Sequence, residues 1–221
     1  MIPVAVIFDF DGVLADTLET HLKAWVLATK EVFQQDIAPP TELSGHSTKT
    51  IAHLISKSLG QPSMATALAS TKERLVTKVA GPVSLYPGVK VAINQLRARS
   101  IPFAIGSNAS RAFVTAALAD HQIEVATIVT ASDVSRHKPA PDIFWACGNQ
   151  MNISPANRER ILVFEDSPHG IEAAVAAKMF PIGVTTALDT TQLRRAGAKL
   201  TVSSVAAASE AGWFSSINES H

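Results

Sequence analysis

Two aspartates, separated by a single residue, follow the first apolar run of the chain. Residues 4–8 form that run, whose continuous hydrophobicity predicts a buried strand, and Asp9, Asp11 and Gly12 come directly after it. Carboxylates at the end of a buried strand are costly to remove from water unless a cation or a proton lies between them. The pair therefore predicts a site that holds a cation.

Further polar side chains follow other apolar runs of the chain. They are Ser107 and Asn108 after residues 102–106, Lys138 in the turn after residues 127–130, and Glu165 and Asp166 after residues 161–164. Several carboxylates without a histidine or cysteine cluster favour a hard cation that prefers oxygen ligands, and Mg²⁺ is the candidate. A lysine and a hydroxyl suit phosphoryl oxygens. The set predicts phosphoryl transfer, in which Asp9 could act as nucleophile and Asp11 as general acid and base.

Short apolar runs alternate with segments of helical character. The runs cover residues 4–8, 102–106, 127–130, 161–164, 181–184 and 200–202, and helices are predicted at residues 89–99, 111–119, 141–151 and 170–178. Strands that are apolar throughout are typical of a sheet covered on both faces. We therefore predict an α/β fold with a Rossmann-like, doubly wound parallel sheet, in which a ligand binds beyond the carboxyl ends of the strands.

The interval from residue 18 to residue 80 breaks this alternation. It contains no convincing strand, and its apolar spacing predicts helices at residues 18–33, 49–59 and 64–79. The simplest interpretation is a helical insertion that covers the site, with linkers at residues 15–17 and 81–85. We therefore predict a core domain formed by residues 1–16 and 82–221, and a helical cap domain formed by residues 17–81.

The composition narrows the class of protein. Of 221 residues, 47% are hydrophobic and 17% are charged, which predicts a folded chain with a large core. The 19 basic and 19 acidic residues balance, which gives no electrostatic argument for nucleic acid or an anionic membrane as partner. The single cysteine excludes an intramolecular disulfide, and the sequence shows neither a signal peptide nor an apolar stretch of about 20 residues. We expect a cytoplasmic monomer.

Four motifs, in order and with suitable spacing, resemble those of the haloacid dehalogenase superfamily. They are the DxDG motif at Asp9, the apolar run that ends at Ser107 in IGSNAS, Lys138 in KPAPD, and the acidic pair Glu165-Asp166 followed by GIEAA from Gly170. The resemblance covers nearly the whole chain. It implies a phosphate-transferring enzyme with an α/β core and a cap.

The resemblance also implies a role for each matching residue. Asp9 corresponds to the nucleophile and a Mg²⁺ ligand, and Asp11 to the general acid and base, which also gives its backbone carbonyl to the metal. Asp166 corresponds to the third protein ligand, with Glu165 as a ligand or close neighbour. The phosphate clamp corresponds to Ser107 and Lys138, with Asn108 as an additional phosphate contact.

The start of the insertion resembles the branch that contains β-phosphoglucomutase and small sugar-phosphate phosphatases. That branch implies that His21 touches the acid/base region and that a cap lysine, for which Lys72 is the candidate, contacts substrate. The mutase motif Gly-x-Ser-Arg reads Gly45-His46-Ser47-Thr48 here. A mutase must hold a second phosphate, which favours an arginine at the position of Thr48.

We therefore predict a Mg²⁺-dependent phosphatase that hydrolyses a small phosphomonoester, expected to be a sugar phosphate, through an aspartyl phosphate. The alternative within enzymes is a β-phosphoglucomutase that interconverts glucose 1-phosphate and glucose 6-phosphate. Two further classes are a receiver-like module, in which phosphoaspartate is a signal, and a non-catalytic phosphosugar-binding protein. Receivers are smaller and lack an insertion after the first strand, and the presence of every motif residue weakens the non-catalytic interpretation.

Overall fold

A parallel sheet of six strands forms the centre of the protein, for which the computed structural model describes residues 3–39, 45–79 and 81–214. The described residues form eight strands, of which β2 and β3 pair with each other outside the large sheet: β1 (Ala5–Phe8), β2 (Ala15–Asp16), β3 (Ser84–Leu85), β4 (Phe103–Ser107), β5 (Thr127–Thr130), β6 (Ile161–Glu165), β7 (Phe180–Val184) and β8 (Leu200–Val202). The order in the large sheet is β5-β4-β1-β6-β7-β8, and every neighbouring pair is parallel.

Helices cover the sheet and fill the interval between β2 and β3. They are α1 (Leu18–Phe33), α2 (Thr48–Ser58), α3 (Ala65–Val79), α4 (Val89–Ala98), α5 (Arg111–Asp120), α6 (Asp142–Gln150), α7 (Pro168–Ala176), α8 (Thr190–Ala196) and α9 (Val205–Glu210). The predicted α/β architecture is confirmed. No helix in the described part of the chain is long and apolar enough to cross a membrane.

Strand β1 lies at the centre of the sheet, which explains why its residues are apolar on both faces. All four are fully buried, and Phe8 pairs with Ile105 on β4 and with Phe164 on β6. The backbone N–H of Asp9 still donates to the carbonyl of Phe164 at 2.9 Å. The residues at the carboxyl ends of β1, β4 and β6 therefore lie side by side at the same end of the sheet.

The helical insertion, which comprises α1, α2 and α3, has a small apolar cluster of its own. Helix α3 packs against both α1 and α2. The cluster is formed by Trp25, Ala28, Phe33, Ile51, Ala52, Ile55 and Leu68. Residues 40–44, which include part of the predicted connection between the first two helices, lie outside the described residues.

The two connections between the insertion and the sheet form a short antiparallel pair that the sequence did not predict. Ala15 pairs with Leu85, and Asp16 with Ser84. The predicted linkers at residues 15–17 and 81–85 contain this pair. The placement supports the division into residues 17–81 and the remainder, which stays a proposal.

Candidate active site

The side chain of Lys138 lies at the centre of the polar groups that follow the strands. Its Nζ donates to Asp9 Oδ1 at 2.6 Å, to Glu165 Oε1 at 2.5 Å and to the carbonyl of Gly106 at 2.7 Å. The residue is only 5% exposed. Burial by itself would lower the pKa of Lys138, but the charges of Asp9 and Glu165 raise it above its usual value, so the ammonium form is stabilised.

Three carboxylates converge beside this lysine. Oxygens of Asp9, Glu165 and Asp166 lie within 4.8 Å of one another. Burial, together with repulsion from the neighbouring acids, raises the pKa of Asp9 to about 8 and raises the pKa of Asp166 well above its usual range. A cation at this point would relieve that repulsion, and an all-carboxylate donor set fits Mg²⁺.

Two glycines, which have no Cβ atom, provide the space that these carboxylates occupy. A Cβ atom on Gly12 would be 1.9 Å from Asp166 Oδ2, and one on Gly170 would be 1.8 Å from Glu165 Oε1. Gly12 also has a φ of +76°, which favours glycine. The turn after β1 and the first turn of α7 therefore require glycine for the carboxylates to approach the cluster.

The carboxylate of Asp11 is held by the insertion side of the site. Its Oδ1 accepts a hydrogen bond from Thr17 Oγ1 at 2.6 Å and lies 3.0 Å from His21 Nε2. Burial would raise the pKa of Asp11, but His21 and the Thr17 hydroxyl outweigh it, so the pKa lies below its usual value. Asp11 and Asp9 thus lie two residues apart but have opposite pKa shifts, because different groups surround their carboxylates.

Lys72 is a buried cation on α3 that points toward the same region. Its Nζ donates to Thr48 Oγ1 at 3.2 Å and lies 3.7 Å from Glu73 and 5.7 Å from the centre of the Trp25 ring. Burial lowers the pKa of Lys72, and attraction to Glu73 and Asp11 opposes this shift. Its ammonium group is therefore within electrostatic range of Asp11.

Ser107 and Asn108 lie where β4 ends, and their side chains have different partners. Ser107 Oγ is buried and accepts from the backbone N–H of Ala109 at 3.0 Å, so its hydroxyl proton can be donated elsewhere. Asn108 Nδ2 donates to the carbonyl of Gly45 at 2.8 Å, and Asn108 Oδ1 accepts from the backbone N–H of Lys138 at 3.4 Å. The predicted phosphate contact of Asn108 stays a prediction.

Thr17 is a residue whose contact with Asp11 the sequence reasoning missed. It occupies the N-cap position of α1 but makes no capping hydrogen bond with its side chain. Its hydroxyl is directed to Asp11 instead, although threonine at this position usually caps the helix. The sequence places Thr17 only in the predicted linker at residues 15–17.

A family model described as haloacid dehalogenase-like hydrolase matches residues 6–184. That range contains every strand-end residue described above. The chain belongs to the haloacid dehalogenase-like hydrolase family. It is therefore an enzyme of that family, as the four motifs predicted.

Individual relatives of this haloacid dehalogenase-like hydrolase place it in the predicted branch. It is 36% identical over 189 residues to fructose-1-phosphate phosphatase YqaB of Escherichia coli, covering 80% of this chain and 94% of that one. It is 31% identical over 195 residues to β-phosphoglucomutase of Bacillus subtilis, covering 81% and 82%. A solved hydrolase from Pseudomonas syringae has the same fold, with a TM-score of 0.82, 22% identity and coverage of 93% and 96%.

Proposed function

We propose that this enzyme is a Mg²⁺-dependent phosphatase that hydrolyses a small sugar phosphate through a phosphoryl group on Asp9. The observation that carries the proposal is the contrast between the two aspartates. Asp9 lies against Lys138 and the carboxylates of Glu165 and Asp166, whereas Asp11 is held separately by Thr17 and His21. One carboxylate is therefore placed among the groups suited to phosphate, and the other is tuned by a different set of partners.

Asp9, Glu165 and Asp166 would hold the metal, with the backbone carbonyl of Asp11 as a further oxygen ligand. The close approach of the three side chains and the raised pKa values of Asp9 and Asp166 support this assignment. A bound Mg²⁺ would neutralise phosphoryl charge and orient the substrate phosphate. Lys138 supplies a second, permanent positive charge beside Asp9.

In the first step, a carboxylate oxygen of Asp9 attacks phosphorus, and the bond between phosphorus and the leaving oxygen breaks. Asp11 gives a proton to that oxygen, which leaves as a sugar hydroxyl. The hydroxyl of Ser107 and the ammonium of Lys138 stabilise the phosphoryl oxygens. In the second step, Asp11 takes a proton from water, which attacks phosphorus and releases inorganic phosphate and free Asp9.

Hydrolysis is favoured over the mutase reaction by the environment of Thr48. The hydroxyl at this position accepts a hydrogen bond from Lys72, and the charge of Lys72 is partly balanced by Glu73. This arrangement suits the hydroxyls of a neutral leaving group better than a second phosphate, which is usually bound by a bidentate arginine. The relative that is a fructose-1-phosphate phosphatase supports a sugar phosphate as substrate.

The direct test measures phosphate release from a panel of sugar phosphates, with fructose 1-phosphate first, in the presence of Mg²⁺ and then with excess EDTA. We expect hydrolysis that EDTA abolishes, and EDTA-resistant hydrolysis would contradict the metal assignment. A second assay incubates β-glucose 1-phosphate with Mg²⁺ and glucose 1,6-bisphosphate. Formation of glucose 6-phosphate without free phosphate would contradict the phosphatase proposal and assign the mutase reaction to the enzyme.

A further inference from the structure

A short segment of the insertion contacts the core at several of the loops that carry site residues. This segment, residues 45–47, is called the contact loop below, and it immediately precedes α2. Each of its three residues meets a different set of core side chains, from the loops after β4, β5 and β6. Those loops also carry Ser107, Lys138 and the pair Glu165 and Asp166.

Asn108 makes the first contact and joins three parts of the molecule. Its amide nitrogen donates to the carbonyl of Gly45 at 2.8 Å, while its amide oxygen accepts from the backbone N–H of Lys138 at 3.4 Å. The loop after β4, the Lys138 loop and the contact loop are thus connected through one side chain. A shift of the Lys138 backbone would alter the hydrogen bond that holds Gly45.

His137, next to Lys138 in sequence, makes the second contact. Its Nε2 lies 3.0 Å from the carbonyl of Ala131, which can only accept, so Nε2 carries the proton. In the neutral imidazole, Nδ1 then accepts from Ser47 Oγ at 2.8 Å. Since Ser47 also caps α2 by accepting from the N–H of Thr50, this contact fixes the start of the helix that carries Thr48.

The third contact lies over the acidic pair. A Cβ atom on Gly45, whose φ is +82°, would come within 2.8 Å of Ser167 Cβ. The next residue, His46, places its ring 4.1 Å from the ring of His169, measured between centroids. The contact loop is therefore packed closely against the segment that directly follows Asp166.

We infer that Asn108 and His137 are positioning residues that hold the contact loop against the core. Through this contact, the insertion presents Thr48 and Lys72 to the leaving group only when the Lys138 loop is in place. This inference rests on the proposed hydrolysis at Asp9. It gives the side chain of Asn108 a role different from a contact with the transferred phosphate. A phosphate contact would serve every substrate equally, whereas a contact with the insertion serves only substrates whose leaving group the insertion binds.

The experiment compares Asn108→Ala with the wild type on fructose 1-phosphate and on acetyl phosphate, whose leaving group carries no sugar hydroxyls. The loss of one hydrogen bond is expected to lower kcat/KM for fructose 1-phosphate about fivefold. The loss should appear in KM, because saturating sugar phosphate that binds the insertion can restore the contact between the contact loop and the core. The kcat/KM for acetyl phosphate should fall by a smaller factor, because hydrolysis of this substrate loses only the hydrogen bond that Asn108 makes to the Lys138 backbone. An equal fall for both substrates would overturn the inference in favour of a phosphate contact.

Amide hydrogen exchange provides a readout that needs no turnover. In Asn108→Ala, and likewise in His137→Ala, exchange of the amides in residues 47–52 should accelerate about fivefold, while exchange in α6 stays unchanged. Asn149→Ala is the matched control, because Asn149 is an exposed asparagine at the end of α6. Unchanged exchange at the start of α2 would overturn the inference whatever the substrate proves to be. If no phosphate ester is hydrolysed but the exchange result holds, the proposed function fails and the positioning contact stands.

Discussion

The two sides of the site are built in different ways. On the strand-end side, Lys138 and the carboxylates of Asp9 and Glu165 lie within hydrogen-bonding distance, and their positions follow from the register of adjacent parallel strands. On the insertion side, Lys72 and Thr48 are joined by one hydrogen bond and depend on helices outside the sheet. Under the proposed function, the ends of the sheet strands would supply the groups that react with phosphate, and the insertion would contact the leaving group.

The largest effect on activity is expected from a substitution on the strand-end side of the site. Asp9→Asn keeps the shape of the side chain but removes the nucleophile, so kcat should fall by roughly 10⁴-fold for every phosphate ester. Circular dichroism should show an unchanged fold, because the substitution removes one of several mutually repelling carboxylates. Asp120→Asn, at an exposed position near the end of α5, is the control and should retain full activity.

The next largest effect is expected from a substitution on the insertion side, and it should differ between two substrates. Lys72→Met removes a buried charge from the insertion but leaves Asp9 and its partners intact, so kcat/KM for the sugar phosphate should fall about 30-fold, as expected for a lost charged hydrogen bond. Hydrolysis of acetyl phosphate should change far less. Lys78→Met alters an exposed lysine on the same helix and should have no effect on either substrate. An equal loss on both substrates would show that Lys72 serves the reaction itself.

A smaller effect tests how closely the strand-end side is packed. Gly12→Ala should raise the Mg²⁺ concentration needed for half-maximal activity about tenfold, because the new Cβ displaces the carboxylate of Asp166. Gly60→Ala provides the control, because Gly60 also has a positive φ but has open space where a Cβ would lie. An equal rise in the Mg²⁺ requirement of both variants would mean that backbone strain, not the contact with Asp166, is responsible.

The smallest effect lies where the two sides meet. Thr17→Val removes the hydroxyl that helps to lower the pKa of Asp11, so this pKa should rise. The acid limb of the kcat profile should then move to higher pH, because Asp11 must be ionised to take a proton from water. The activity at neutral pH should fall by a few-fold, since the bond to His21 remains. An acid limb at unchanged pH would mean that Asp11 is not the group whose titration controls turnover. Thr115→Val, on the exposed face of α5, serves as the reference.

The strand-end side could be predicted from sequence because its signals are local. Six of the eight strands within the described residues were predicted within one residue at each end, since each strand of the large sheet is a short apolar run. The pair β2 and β3 was missed, because two-residue strands form only through pairing between distant segments. Helices α8 and α9 were also missed; α8 buries little beyond Leu193, although its capping box at Asp189 and Gln192 was a usable signal.

The insertion side was predicted less completely for a physical reason. The helices and the candidate residue Lys72 could be read from spacing and resemblance, but the partners of Asn108, Thr17 and His137 depend on how the insertion lies against the core. A side-chain amide or hydroxyl has many possible partners, and a single sequence does not rank them. Contacts that cross between the two parts of the chain therefore came only from the structure.

The most direct test of the account locates the phosphoryl group. The Asp11→Asn variant is mixed with p-nitrophenyl phosphate and Mg²⁺, quenched in acid and analysed by peptide mass spectrometry. The good leaving group needs little help from a general acid, while attack by water lacks its base, so the intermediate should accumulate. We predict a burst of nitrophenol and a peptide that carries one phosphoryl group on Asp9. A phosphoryl group on another residue, or release of phosphate with Asp9 never modified, would contradict the account.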